Sequence, residues 1–444
     1  MLVIHGLLLV PSLIVVYMEK MSVAVIGSGV AGLGAAWLMA RHGVSVTVFE
    51  SASSAGGHAH TVLPCSKTPE LAVDVGFIVF NHATYPNLTN LFDELAIDVL
   101  PTNMSFGVSM SDGLEYAGPK FNSLFAQRRN LVRPTFWRML FDIKKFYEQA
   151  ETLKPDADKD LNYLLRNYSK GFSKNHLLPM AAAIWSTDVN DIGEMQGQAF
   201  IDFFSNHGLL KIRNRPPWYT VKGGSISYVN KILQTPGLQL KLKTQIRSIE
   251  RASDHVKVRG DQIKETFDQV VIATHGDQAL KLLSKPSPIE QKLLGEFEYS
   301  KSTAYLHQDE SLMPSNRRAW ASWNYIETKP GELCVSYWMN SLQRLKTSKN
   351  LFVTLNPSHE PSDSIEVFDY SHPILNGKTN IAKKHLWDLQ EEQRTWFCGS
   401  YFGYGFHEDG LQSGLAVAEE ITGKSRPWGE INDRISVVGK RRSG

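Results

Sequence analysis

The sequence predicts an α/β fold in which a Rossmann-like parallel sheet carries an inserted α+β domain. Three observations predict it. First, "SVAVIG" and "VSVTVFE" are short β-branched runs of the kind buried in a parallel sheet, and "VAGLGAAWLMARHG" between them is a good helix former closed by Gly43. Second, the turn that joins strand to helix places Gly27, Gly29 and Gly32 at the spacing of a nucleotide-binding βαβ unit. Third, at 444 residues the chain is too long for one ordinary core, and its middle changes character twice.

Each part of the first unit has a physical reason. Gly27 makes the tight turn, Gly29 lets a pyrophosphate approach the backbone, and Gly32 lets helix and strand pack closely, with the helix N-terminus facing the phosphates. The second strand ends at Glu50, where a carboxylate accepts hydrogen bonds from ribose hydroxyls. The unit by itself serves NAD and FAD alike. Residues 87–218 read mostly helical, since "NLTNLFDELAIDV" and "TFWRMLFDIKKFYEQAETL" repeat apolar residues at three and four. Residues 295–355 read as strands, because "TAYLHQD", "AWASWNY" and "ELCVSYWMN" are rich in aromatic and β-branched residues.

Composition narrows the class. The net charge of +2 carries no global signature of a nucleic-acid binder. Cys65, Cys334 and Cys398 are too few and too scattered for a disulfide framework or a cysteine-built metal site, which fits a reducing, cytoplasmic setting. His58 and His60 with His42 give no ligand spacing for a metal, and no G-x-S-x-G nucleophile is present. Residues 1–20, "MLVIHGLLLVPSLIVVYMEK", are interrupted by Pro11, short for a bilayer span, and without a basic n-region or small-residue cleavage site; an extension ahead of a start at Met21 is the first reading and a weak anchor the second.

Beyond the glycine unit, the chain resembles the two-dinucleotide-binding-domain flavoproteins. After Glu50 and Ser51 come Gly56 and Gly57, which in that family wrap the cofactor, with His58 where the family commonly has Arg or Lys. "DVGFIVFN" with Gly76 and Phe77 resembles the loop approaching the flavin, "LKTQIRSIE" the strand whose Ile246 meets the adenine end, and "FDQVVIATHG" the turn at Ala273 and Thr274. "TWFCGSYFGYGFHEDGLQSGLAVAEEI" resembles the closing motif, with Gly399, Ser400, Gly410 and Leu411 leading into a helix whose N-terminus faces the flavin N1 and O2 region. The resemblance implies FAD, with Ser28 and Ala31 joining the three glycines at the phosphates. It also implies a discontinuous FAD domain of 21–84, 219–284 and 395–424, a substrate domain of 85–218 and 285–394, and a tail over 425–444.

The overall plan is similar to the flavin amine oxidase and phytoene desaturase superfamily. "MAAAIWS", "FFSNHGLL", "RPPWYTVKGGSISYV" and "LFVTLNP" resemble most the FAD-binding oxidoreductases associated with cyclopropane fatty-acyl-phospholipid synthases. That resemblance implies hydride transfer from a lipid acyl chain to flavin N5, with a fatty-acyl-phospholipid methyltransferase as functional partner. Two other readings stand beside it, an amine oxidase and a non-catalytic flavin or lipid-binding accessory.

The residues add their own indications. Lys120 to Lys145 interleaves Arg128, Arg129, Arg133, Arg138 and Lys144 with Phe121, Phe125, Phe136 and Trp137, which suits peripheral contact with an anionic inner membrane face, or else a solvated helix with its aromatic side in the core. Trp320, Trp323, Tyr325, Tyr337 and Trp338 are candidates for an apolar cavity wall or for plain sheet packing. Tyr401, Phe402, Tyr404, Phe406 and His407 could cage a small amine, and His176, Trp185 and Ser186 are candidates for shaping the cavity. His307, Tyr404 and His407 are the candidate acid or base groups, because each can hydrogen-bond over a flavin and a histidine titrates near neutrality. Cys398 lies inside the glycine motif, so covalent flavin attachment is not indicated.

Overall fold

The computed structural model describes residues 20–64, 71–118, 120–153, 159–185, 189–206, 210, 215–329, 334–374 and 376–429. The leader up to residue 19, Cys65, Ser186 and the tail beyond Gly429 lie outside them.

A five-stranded parallel sheet forms the base, from β1 (Ser22–Ile26), β2 (Ser45–Phe49), β3 (Leu238–Lys241), β4 (Gln269–Ile272) and β5 (Thr395–Phe397) in the order β5-β4-β1-β2-β3. β1, β2 and β4 are apolar on both faces, as a sheet covered on both sides requires. Between β1 and β2 runs helix α1 (Val30–Arg41), buried everywhere but at Arg41, and Gly43 ends it at φ +92°. Such a helix needs a partner on its far side as well. That partner is α2 (His407–Thr422). The two approach through glycines: a methyl at Gly414 would lie 2.1 Å from the Ala31 carbonyl oxygen, and one at Gly34 would lie 2.6 Å from Leu411 Cδ1. Leu411 therefore belongs to the helix contact.

The register brings Ile26, Phe49 and Ile272 to one edge, with Phe397 beside Ile272. Ligands of open α/β sheets bind off that carboxyl edge. A three-stranded antiparallel sheet (Ile246–Arg251, Val256–Gly260, Lys264–Phe267) flanks it.

The second sheet has seven strands, in the order Ser364–Pro373, Tyr299–His307, Phe352–Leu355, Cys334–Trp338, Trp323–Ile326, Phe106–Ser109 and Glu115–Ala117. A helical layer between Phe121 and Asn206 packs on it through Phe146, Phe172, Phe200, Phe203 and Phe204. Strands over 299–355 agree with the sequence pattern. The ten-residue edge strand Ser364–Pro373 extends beyond it.

The expected tail is tied down at its start. Arg426 is buried, donates to both oxygens of Glu419 at 2.8 Å, and reaches Asn87 Oδ1 at 2.7 Å, while Trp428 stacks on Trp37 at 5.9 Å. The segment looks frayed in sequence because its contacts with Asn87 and Trp37, distant along the chain, have no local signature. Removing one partner strands the other charge out of water, so Arg426→Ala is expected to cost about 3–5 kcal/mol, read from urea unfolding of the intact chain. An unchanged urea midpoint would show that this pairing adds nothing.

Candidate functional site

A cavity of about 730 Å³ follows the carboxyl edge of the parallel sheet and continues into the seven-stranded sheet. One end is built by the glycine turn. Gly27 has φ +104°, and a methyl there would lie 2.8 Å from the Ala273 carbonyl oxygen, so only glycine brings the turn against the end of β4. Gly32 stands behind the cavity, where a methyl would lie 2.0 Å from the Gly27 carbonyl oxygen. Gly29 is the N-cap of α1, makes no side-chain cap bond, and has open space where a Cβ would project. Helices leave their first N–H groups unsatisfied, and these point at an anion. Ser28, Ala31 and Ser51 complete this wall.

Glu50 lies on the wall too. Its carboxylate accepts from Ser28 N at 3.0 Å, Ser28 Oγ at 2.6 Å and Ala52 N at 2.9 Å, so it also holds the glycine turn to the end of β2. Gly56 sits behind, donating its N–H to the Ser28 carbonyl at 3.1 Å. Gly57 comes forward to the cavity, within 3.1 Å of Gly29 Cα measured from an added methyl. Ala273 and Thr274, beside the glycine turn, and Ile246 also line the cavity.

In the middle, Gly76, Phe77, His58, Gly399, Ser400 and Gly410 line the space. The Phe77 N–H donates to the His58 carbonyl at 2.6 Å, and His58 Nε2 is buried with no hydrogen-bond partner in the protein. An orphaned buried nitrogen, an uncapped helix N-terminus and glycines open to the cavity fit a dinucleotide with its pyrophosphate at α1. Asp409 Oδ2 accepts from the Tyr404 and Phe406 N–H groups at 2.9 Å, fixing the loop that leads into α2. Lys383 donates to the Gly403 carbonyl at 3.1 Å, and burial pulls its pKa down to about 8.

The three candidate acid or base residues separate. Tyr404 and His407 reach the cavity; His307 does not. His307 is fully buried on the seven-stranded sheet, its Nε2 on Thr354 Oγ1 at 2.6 Å and its Nδ1 accepting from the Asp309 N–H at 3.1 Å. Both ring nitrogens are thus committed to structure, and the catalytic assignment to His307 is corrected. His407 stacks on Phe77 at 3.9 Å and pairs through Nε2 with the Tyr228 hydroxyl at 2.6 Å. Burial lowers the His407 pKa to about 3 and raises Tyr228 well above its usual value. A neutral imidazole held by a neutral phenol is a shaping group rather than a base poised near neutrality.

The aromatic candidates divide between the cavity and the packing around it. Trp323 and Tyr337, paired across two strands and stacked at 5.9 Å, line the cavity. Trp320 and Trp338 pack edge to face at 5.4 Å away from it, and Tyr325 is in the core. Tyr401 and Phe406 line it, while Phe402 turns to Trp387. His176 sits behind, between the hydroxyls of Tyr116 at 3.0 Å and Tyr147 at 3.1 Å, and Trp185 closes the helix Leu178–Trp185. Burial of Cys398 raises its thiol far above the usual value, which keeps it inert.

Sequence reading missed His275, Tyr370 and His372 on the wall, and the buried carboxylate of Asp74 behind it. Asp74 accepts from Thr61 Oγ1, from the Ser225 N–H and hydroxyl, and from Gln343 Nε2, and desolvation raises its pKa to about 6. The alternating "SIEVFDYSHP" was the available signal for Tyr370 and His372. Among the described residues no cluster of metal-ligating side chains occurs, and no helix is long and apolar enough to cross a membrane.

Comparisons with known proteins find the same fold elsewhere. The structure is similar to cyclohexylamine oxidase from Brevibacterium oxydans IH-35A, with a TM-score of 0.67 and 15% identity over 91% of this chain and 99% of that one. It is also similar to the CLA-producing fatty acid isomerase from P. acnes, with a TM-score of 0.62 and 13% identity over 90% and 98%. Tryptophan 2-monooxygenase of Allorhizobium ampelinum is 33% identical over 105 residues, which are 23% of this chain but only 14% of that protein. Residues 30–309 match the sequence profile of the flavin containing amine oxidoreductases. The chain, an FAD-dependent oxidoreductase, belongs to that family.

Proposed function

We propose that the protein oxidises or desaturates an apolar acyl chain. The observation that carries this reading is the charge of the cavity wall. Among the described residues its only acid is Glu50, at the glycine-turn end, whereas the far end is lined by Met104, Ile184, Phe203, Trp323, Tyr337 and Leu355. A cationic amine leaving water needs a counter-charge, but a hydrocarbon chain needs only shape and exclusion of water. Bound FAD supplies an acceptor for the hydride of a substrate C–H bond. The chain's own residues then orient and seal: Trp323 and Tyr337 give a flat wall, and the buried, neutral His58, His372 and His407 present hydrogen-bonding nitrogens without charge.

The ring cage of Tyr401, Tyr404 and Phe406 favours a second reading, oxidation of a small amine. Fold alone does not choose, since the same architecture carries amine oxidases and a fatty acid isomerase. Anaerobic mixing separates them. Vesicles of unsaturated phospholipid are expected to bleach the oxidised-flavin absorption, with alkyl and aryl amines leaving it unchanged. Bleaching by amines alone would overturn the acyl-chain reading, and bleaching by neither would favour an accessory role.

A further inference from the structure

We propose that the surface formed by residues 120–145 docks the protein on an anionic lipid surface. Eleven large apolar side chains among the described residues are exposed, and five of them, Phe121, Leu131, Val132, Trp137 and Phe141, belong to this one segment. Val132 is 84% exposed, Phe121 63% and Phe141 61%, so these are side chains in water rather than edges of the core. They form one patch. Phe121 packs on Phe125 at 4.8 Å and Phe125 on Trp137 at 5.4 Å, the Trp137 indole N–H donates to the Leu131 carbonyl at 2.9 Å, and Phe141 lies one turn from Trp137 on the helix Pro134–Gln149.

The charge around the patch selects the occupant. Lys120, Arg128, Arg129 and Arg133 are exposed and form no ion pair among the described residues. Arg138 pairs with Asp142, which is buried and holds the Ser169 N–H at 2.9 Å, and Lys144 pairs with Glu148. No unpaired acid interrupts the rim from residue 120 to 145. Exposed aromatics inside a ring of cations are what a membrane interface with anionic headgroups takes up: the rings enter the headgroup layer and the cations stay at the phosphates. A protein partner or a second copy would need an acidic rim to meet these cations.

The patch also lies on the substrate side of the molecule. From Phe125 a file of packed rings, Phe136, Tyr116, His176 and Phe106, leads to Trp323 on the cavity wall, with successive centroids 5.6 to 6.4 Å apart. The docking stands without the acyl-chain reading; the benefit of docking on that side rests on it.

Co-sedimentation of the full chain with vesicles tests the proposal. Wild type is expected to pellet with vesicles of phosphatidylglycerol mixed into phosphatidylcholine, and to stay in solution with phosphatidylcholine alone. Two variants isolate the causes, Phe121→Ser/Val132→Ser/Phe141→Ser for the rings and Arg128→Glu/Arg129→Glu/Arg133→Glu for the rim. Each is expected to keep the bound-flavin spectrum, because none of these side chains touches the cavity, and to lower the partition coefficient by roughly 100-fold. Salt is expected to weaken wild-type binding and to have little effect on what the charge variant retains. Wild type that ignores anionic vesicles, or variants that bind as well as wild type, would overturn it. So would a wild-type dimer that the ring variant converts to a monomer without any vesicle binding. Failure here leaves the bleaching by soluble acyl substrates unaffected, so the two proposals fail separately.

Discussion

Gly29→Val is expected to yield a folded chain that no longer holds FAD. The backbone at Gly29 is ordinary, with φ −66° and ψ 175°, and beyond its chain neighbours no atom lies within 4 Å of an added Cβ, so the fold has room for a side chain to start there. What the side chain fills is the space ahead of the first turn of α1, where the pyrophosphate meets the backbone. The affinity for FAD should fall by roughly 100-fold or more, equivalent to about 2.7 kcal/mol. Gly32→Val makes the contrasting case. Its first methyl would lie 2.0 Å from the Gly27 carbonyl oxygen, so that variant is expected to fail in folding before binding is in question. Flavin absorbance and a thermal melt, run on both, distinguish a blocked site from a broken fold. Full flavin retention by Gly29→Val would contradict the placement of the phosphates.

Acid is expected to unfold the protein well above the usual carboxylate range. Burial lowers the pKa of His58, His176 and His407 to about 3 and that of His307 and His372 to about 4. Below pH 6.5 the unfolded chain binds protons at all of these rings while the folded chain does not, so stability falls as pH falls. Asp74 opposes them. Its pKa is raised to about 6, so between about 4 and 6 the folded chain keeps a proton that the unfolded chain releases, which cancels one histidine. His60 and His275, also lowered by burial, act in the same direction, so near pH 5 the histidines outweigh Asp74 and stability falls as the pH falls. Urea midpoints measured at constant FAD from pH 7.5 to 5 should drop steeply, and His307→Gln should make the drop shallower by about one proton. A flat profile would mean that these rings are hydrated in the native state.

The first βαβ unit was legible because everything that defines it is local: the strand run, the glycine spacing, the helix and the acid at Glu50 follow one another along the chain. Gly399, Ser400 and Gly410 were legible for the same reason, as a turn feeding a helix. The sides of the seven-stranded sheet were not. His307 belongs to the strand Tyr299–His307, which gives no residue to the cavity wall, and its ladder partners Phe352 and Ser364 lie more than forty residues away in sequence, so nothing local shows where it sits. Tyr370 and His372 were hidden on an edge strand whose outward face is polar and whose apolar signal is therefore weak. Asp74 shows the same limit. Its meaning as a buried hub comes from Ser225 and Gln343, which only the fold brings to it.

The glycine turn, the 399–410 loop and the strand ends after β2 and β4 converge on one cavity, and its occupation by FAD is the claim on which the rest depends. Absorbance of the freshly purified chain, followed by titration of the stripped protein with FAD, tests it most directly. The expected result is an oxidised-flavin spectrum and saturation at one FAD per chain. A correctly folded protein that is colourless and takes up no added FAD would contradict it.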